Sequence, residues 1–246
     1  MSDNAKLSDK ICRLSCLLLL ITNTCVAQGS SAMGYVITGN NHCRLNIKQN
    51  VVSGNTLSLL YETLPANQAG ANHNSLWLWR ATEVPWKYPP MKKQLLPANA
   101  TQSGSYVLDG IDITVGTGYI ACYSVDSTVL QVCACAHLAA DSDSTSSEWT
   151  DISLVNVYPN SLTFTYRTLA GYLPVTYRNW FGIWKGEASP YNSFPPLGTG
   201  KPDTDANMAT GAINNIKLES GQTYTLIYFA GEQLSDAAAM ITFSIQ

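Results

Sequence analysis

Charge is scarce in this chain. Only 13% of its 246 residues are charged, with 14 Lys and Arg against 17 Asp and Glu, roughly half the usual share. There is no basic run or stripe, which argues against nucleic acid as a partner and against electrostatic docking on anionic lipid. Histidine is nearly missing too. His42, His73 and His137 are the full set, and none lies in a catalytic or metal-binding motif. A Ser/His/Asp or Cys/His arrangement would have to be assembled from unrelated loops. The expectation is a chain that is not an enzyme and carries no cofactor or metal. Long apolar runs are also lacking. The Leu-rich stretch from Leu14 to Ile21 is too short to span a bilayer, so no transmembrane segment is expected.

That stretch reads instead as the core of a signal peptide. Lys6, Lys10 and Arg13 precede it, and Cys25-Val26-Ala27 offers small residues ahead of a cleavage point before Gln28. Acylation of Cys25 is the alternative, although Thr24 fits a lipoprotein signal poorly. The expected location is secreted or periplasmic. Cysteine usage agrees with export. Three of the seven cysteines fall in the leader, leaving Cys43, Cys122, Cys133 and Cys135. An even number in an exported chain points to two disulfides. All four lie in the first half, so the second half must fold without bridges. The turn at Asp126–Val129 would set Cys122 opposite Cys133 and leave Cys43 for Cys135. Buried free thiols are the alternative.

The strongest positive feature is an internal repeat with an offset of 105 residues. Asn74-Ser-Leu-Trp-Leu-Trp-Arg80 matches Asn179-Trp-Phe-Gly-Ile-Trp-Lys185. Tyr61 meets Tyr166, Gly116 meets Gly221, Tyr119 meets Tyr224, and Tyr123 meets Tyr228. Such spacing signals a duplicated domain. The expected organisation is a signal peptide over 1–27, a first repeat over 28–140, a polar linker over 141–148 and a second repeat over 149–246.

Both halves read as all-β. Short stretches rich in Val, Ile, Leu, Thr and Tyr alternate with Gly, Pro, Asn and Ser about every ten residues, the pattern of a β-sandwich. Strands are expected near 44–52, 56–63, 75–81, 105–114, 118–125 and 129–137. In the second repeat they fall near 151–157, 161–168, 179–185, 208–218, 222–229 and 238–245. Ile113-x-x-Gly116-x-x-Tyr119 and Leu218-x-x-Gly221-x-x-Tyr224 have the spacing of a tyrosine corner, in which the phenol bonds back to upstream backbone. The fold expected is two tandem immunoglobulin- or fibronectin-III-like sandwiches.

The order of elements in the second repeat resembles the SKICH domain and the Ig-like N-terminal domain of purple acid phosphatases. The likeness rests on Asn179-Trp-Phe-Gly-Ile-Trp-Lys185, the aromatic pair Tyr191 and Phe194, and the corner ending at Tyr224. Asn179 stands where the family has Asp, and the first repeat lacks the central Gly. The resemblance implies an interaction or targeting module rather than a catalyst.

Aromatics are the better candidates for function. Trp79 and Trp184 recur at equivalent strand positions, which favours packing. Trp86, Tyr88, Tyr191 and Phe194 lie instead in the Pro-rich segments Pro85–Pro90 and Pro190–Pro196. Rigid loops that display aromatic rings suit glycans, peptides or protein surfaces. The alternatives are that these rings cap the open edge of each sandwich or are buried between the halves. Asp203-Thr-Asp205-Ala-Asn207 imitates the start of a calcium loop but lacks its Gly and closing Glu, and so reads as a solvated loop. Asn99-Ala-Thr101 matches the N-glycosylation pattern. The expected function is binding to a glycan, cell surface or protein. The other readings are an assembly or toxin-like component that oligomerises, and an enzyme with an unrecognised site. On export, intact mass and N-terminal sequencing should find a mature chain beginning at Gln28; a chain retaining Met1 would refute the leader.

Overall fold

The computed structural model describes residues 31–48, 54–81, 85–114, 116–140, 145–191 and 194–246. The expected leader lies outside them, as does the end of the strand expected at 44–52. The described chain is all-β apart from two single 3-10 turns at Val129–Gln131 and Leu234–Asp236. In the first half the strands are β1 (Tyr35–His42), β2 (Arg44–Ile47), β3 (Leu57–Glu62), β4 (Ser75–Arg80), β5 (Lys92–Leu95), β6 (Ser103–Leu108), β7 (Tyr119–Ser124) and β8 (Val132–Leu138). After them come β9 (Thr145–Trp149), β10 (Asp151–Tyr158), β11 (Ser161–Arg167), β12 (Trp180–Lys185), β13 (Gly198–Gly200), β14 (Met208–Asn214), β15 (Thr223–Phe229) and β16 (Ala237–Ile245). All twelve expected strands are present. β1, β5, β9 and β13 are additional; all four lie at sheet edges, where one face and one backbone edge are wet and apolar alternation fades.

The strands form four antiparallel sheets. Two have five strands, in the orders β5-β4-β7-β8-β9 and β1-β16-β15-β12-β13, and two have three, β2-β3-β6 and β10-β11-β14. The inner faces close on each other through aromatic contacts. Tyr61 stacks on Tyr123 at 5.9 Å, and Phe164 meets Phe181 edge-on at 4.7 Å. Alternation on β4 and β12 puts Leu76, Leu78, Phe181 and Ile183 into this main core, as the pleat requires.

Strand order exposes an exchange that the repeat boundaries do not suggest. β1 opens the first repeat but pairs with β16, the last strand of the second. β9 pairs with β8, the last strand of the first repeat, and the chain then passes into β10 beside β11. Each pair, β1 with β2 and β9 with β10, is therefore one extended stretch shared between two sheets. The crossings occur at Cys43 and Thr150. They are held alike: the Cys43 N–H donates to Ala238 O at 3.0 Å and the Thr150 N–H to Cys133 O at 2.7 Å, and Cys133 and Ala238 are themselves equivalent in the repeat. The visiting strands are also tied across to the opposite sheet. The Tyr35 hydroxyl donates to Leu154 O at 3.2 Å, and the Ser147 hydroxyl to Leu45 O at 3.0 Å. Of the polar segment expected as a linker, Thr145–Glu148 therefore lies within a paired strand; 141–144 fall outside the described residues. Its Ser and Thr side chains are compatible with a partly wet edge strand.

Cysteine pairing differs from the expectation. Cys122 is bonded to Cys135, while Cys43 and Cys133 are buried free thiols. The expected Cys122–Cys133 and Cys43–Cys135 pairs are thus corrected. The hairpin register sets Cys122 opposite Cys135; Cys133 is the extra residue of a bulge, since Tyr123 faces Ala134 but Ser124 faces Val132, and it lies in the main core. Cys122 and Cys135 are direct cross-strand partners on the outer face. In the second repeat the same two positions hold Ile227 and Met240, also direct partners and both buried. An apolar contact there occupies the place of the bridge.

Both tyrosine corners are present. The Tyr119 hydroxyl accepts the Thr114 N–H at 2.7 Å and the Tyr224 hydroxyl accepts the Glu219 N–H at 2.8 Å. Gly116 and Gly221 have φ of 80° and 75°, a region in which a Cβ is strained. A second matched pin joins them. The Tyr123 hydroxyl donates to Asn74 Oδ1 at 2.6 Å and the Tyr228 hydroxyl to Asn179 Oδ1 at 2.7 Å. All four side chains are fully buried or nearly so, and burial drives the phenol pKa values upward. Asn74 also receives a bond from Asn67 at 2.8 Å and donates to Val125 O. Replacing Asn74 by Ala should cost about 2–4 kcal/mol in urea unfolding, because it strands several buried groups at roughly 1–3 kcal/mol each. Combining it with Tyr123→Phe should add less than the sum of the single changes, and strict additivity would show that the pair is uncoupled.

Candidate binding loops

Trp79 and Trp184 lie one residue before the ends of β4 and β12, on the strand faces opposite Leu78 and Ile183. Neither indole is exposed, yet each donates its N–H to a loop carbonyl. Trp79 Nε1 reaches Tyr88 O at 3.0 Å, and Trp184 Nε1 reaches Phe194 O at 2.8 Å. The repeated tryptophan thus packs, as its recurrence suggests, and also fixes the Pro-rich loop that follows. The residue whose carbonyl is held turns its own ring outward in both copies. Tyr88 is 53% exposed and Phe194 74% exposed.

The other two loop aromatics behave differently. Trp86 is half-buried and meets Tyr172 of the second repeat edge-on at 5.4 Å. Its indole lies against Gly171, where a Cβ would come within 3.0 Å. Tyr191 packs against the main core, and burial pushes its phenol pKa upward. Neither the Trp86 nor the Tyr191 polar atom has a hydrogen-bond partner among the described residues. Of the four candidates, Tyr88 and Phe194 are therefore displayed, whereas Trp86 and Tyr191 mainly anchor their loops.

The two copies build the surroundings of the tryptophan by different means. In the first, Trp77 stacks on Trp79 at 5.9 Å. Leu169, Tyr172 and Tyr177 of the second repeat join this cluster beside the Cys122–Cys135 bridge. In the second, Gly182 replaces Trp77. A Cβ there would lie 2.7 Å from the Trp184 ring, so glycine lets that indole settle on the strand. Trp180 stacks on Phe229 at 4.0 Å. Beside Phe194 an open groove of about 340 Å³ is lined by Trp184, Lys185, Glu187, Ser189, Pro195 and Leu197. Lys185 pairs with Glu219 at 3.2 Å, and the cation lowers the Glu219 pKa together with Lys217. The groove thus offers an exposed ring, an aliphatic rim and a few hydrogen-bonding groups.

A larger cavity, about 640 Å³, lies at Ala81, Gly118 and His137–Ala140, and His137 is its one titratable lining residue among those described. Described residues contain no group of three or more His, Cys, Asp or Glu placed to hold a metal. The calcium-like segment has a local duty: Asp205 accepts the Val175 and Thr176 N–H groups and the Thr176 hydroxyl at 2.8–3.0 Å. These bonds lower its pKa. Asn99 sits exposed in a turn. No helix among the described residues is long and apolar enough to cross a membrane.

Replacing Trp184 by Phe removes the bond to Phe194 while keeping most of the packing. The loss should be about 1–2 kcal/mol of stability, with faster limited proteolysis between 187 and 197. An unchanged cleavage rate would show that the indole bond does not hold the loop.

No protein-family model matches the chain, and no curated protein sequence does. The likeness to SKICH domains and purple acid phosphatases has no support beyond the residues that suggested it. Among solved structures, the chain is similar to a domain described as "Biofilm associated protein - BSP domain", at 12% identity and a TM-score of 0.21. The alignment covers 78% of this chain and 26% of that one, so the chain spans about a quarter of the matched structure's length.

Proposed function

We propose that this is an exported, non-catalytic binding module of Ig-like organisation that recognises a glycan or glycosylated cell surface through Tyr88 and Phe194. One observation carries the reading: the same buried indole-to-carbonyl bond stands behind an exposed aromatic ring in both repeats. A held ring loses little conformational entropy on binding and buries a large area, which suits the apolar faces of sugar rings. The groove beside Phe194 adds Lys185, Glu187 and Ser189 as hydrogen-bonding groups for hydroxyls. Two weak sites on one chain would gain through avidity on a multivalent surface.

A second reading, an assembly component that oligomerises, is favoured by β1. This edge strand leaves Val36 and Ile37 46% and 47% exposed and offers an unpaired backbone edge. Light scattering across a concentration series separates the two: a constant monomer mass disfavours assembly.

Glycan-array and whole-cell binding by the full chain test the main reading. Tyr88→Ala with Phe194→Ala should lower apparent affinity at least tenfold while leaving the melting temperature nearly unchanged, since both rings are exposed. Retained binding in the double variant would remove the hypothesis.

A further inference from the structure

Cys43 and Cys133 are the two thiols of the described chain that no bridge uses, and both are completely buried. They lie where the exchanged strands cross. Cys43 is the single residue between β1, which belongs to one five-stranded sheet, and β2, which belongs to the three-stranded sheet of the other half. Cys133 is the second residue of β8, and its carbonyl receives the N–H of Thr150, the other crossing residue, at 2.7 Å. The two thiols share one buried cluster: His42, next to Cys43, stacks on Trp149 at 4.8 Å, and Trp149 pairs with Ala134, next to Cys133. Each thiol makes a long bond to backbone: Cys43 Sγ to Ala237 O at 3.9 Å and Cys133 Sγ to Tyr123 O at 3.8 Å. Tyr123 is buried in the same cluster, and Tyr191 packs against it. The residue at the second crossing is Thr150, and the residue 105 beyond Cys133 is Ala238, so nothing in the duplicated fold calls for thiols here.

We propose that Cys43 and Cys133 are a covalent modification site: they oxidise to a second disulfide that ties the first strand crossing to β8. Two S–H bonds break and one S–S bond forms. By thiol–disulfide exchange the two protons and two electrons end on a disulfide oxidant, either a small-molecule disulfide such as oxidised glutathione or the disulfide of an oxidoreductase, whose S–S bond breaks to give two thiols. Because both sulfurs are sealed in the folded chain, exchange takes place while the chain folds, before the core closes. The bond would close a loop of about 90 residues, a length at which a cross-link restricts the unfolded chain strongly. It would also lock β1 in place, because β1 and β2 are continuous through Cys43. The proposal depends on exposure to an oxidising compartment and is independent of any ligand at Tyr88 or Phe194.

Folding the full chain in an oxidised/reduced glutathione couple tests it. Free thiols are then alkylated in denaturant, and the protein is digested without reduction. The expected result is a Cys43 peptide linked to a Cys133 peptide, in the same molecules that carry Cys122–Cys135. The oxidised chain should melt on the order of 10 °C above a Cys43→Ala/Cys133→Ala variant folded in the same way. Alkylation of both Cys43 and Cys133 in molecules whose Cys122–Cys135 bond has formed would overturn the proposal. So would linkage of either residue to any other cysteine. Mapping is done on the unaltered chain, so its outcome does not depend on whether the variant folds.

Discussion

Two extended stretches cross between the halves of this molecule, and the remaining architecture is built around them. β1 and β2 share one course of chain, and so do β9 and β10, but the members of each pair belong to different sheets. The backbone cannot leave one sheet without entering the other, since a single residue, Cys43 or Thr150, separates them. Each crossing residue spends its N–H on the last strand of a repeat. A buried backbone donor left unpaired is costly, so these bonds fix the depth at which each stretch enters. The consequence is mutual: each half has an edge strand that the other half supplies. A tandem pair joined only by a linker would have independent halves. Here Tyr172 binds Leu130 O at 2.6 Å and Ala230 O at 3.0 Å, so one phenol joins carbonyls of both repeats.

Within that frame, duplicated residues perform duplicated tasks. The tyrosine corner, the Asn–Tyr pin and the indole-to-carbonyl bond each occur twice with nearly the same distances. All three are polar side chains bonded at buried or half-buried positions, where a lost partner is expensive. Where the copies diverge, one solution is exchanged for another of similar shape. Ile227 and Met240 occupy the place of the Cys122–Cys135 bridge, and Gly182 makes room that Trp77 fills in the first repeat. The divergent outer faces are also where the halves stop being equivalent. The first is covered by Leu169, Tyr172 and Tyr177 of the second repeat, whereas the second has the groove beside Phe194.

Much of the candidate site was legible in the primary structure, but not its division of labour. Proline on both sides of Tyr88 and Phe194 marks the loops, and their repetition marks them as matched. That Trp86 and Tyr191 turn inward while Tyr88 and Phe194 turn outward depends on Tyr172, Gly171 and the main core, which approach from distant parts of the chain. Asn74 and Asn179 carried a weak signal: an amide repeated immediately before a buried strand, at a position where exposure would leave it free to vary. Their tyrosine partners lie 49 residues further along, a distance that local pattern does not reach.

Local pattern alone was enough for the all-β class, the twelve expected strands, the two corners and the packing role of the paired tryptophans. These follow from side-chain period and turn chemistry, which act over a few residues. Other features arose only when distant segments met. The hairpin register set Cys122 opposite Cys135 and left Cys133 as the extra residue of a bulge, because register is set by the whole hairpin and its turn. A polar stretch that resembles a linker became strand β9, because its backbone completes the edge of a sheet formed by residues before it. And the exchange of β1 and β9 was fixed only by which sheet edges stand open once both halves have closed, a property of two surfaces and not of any segment.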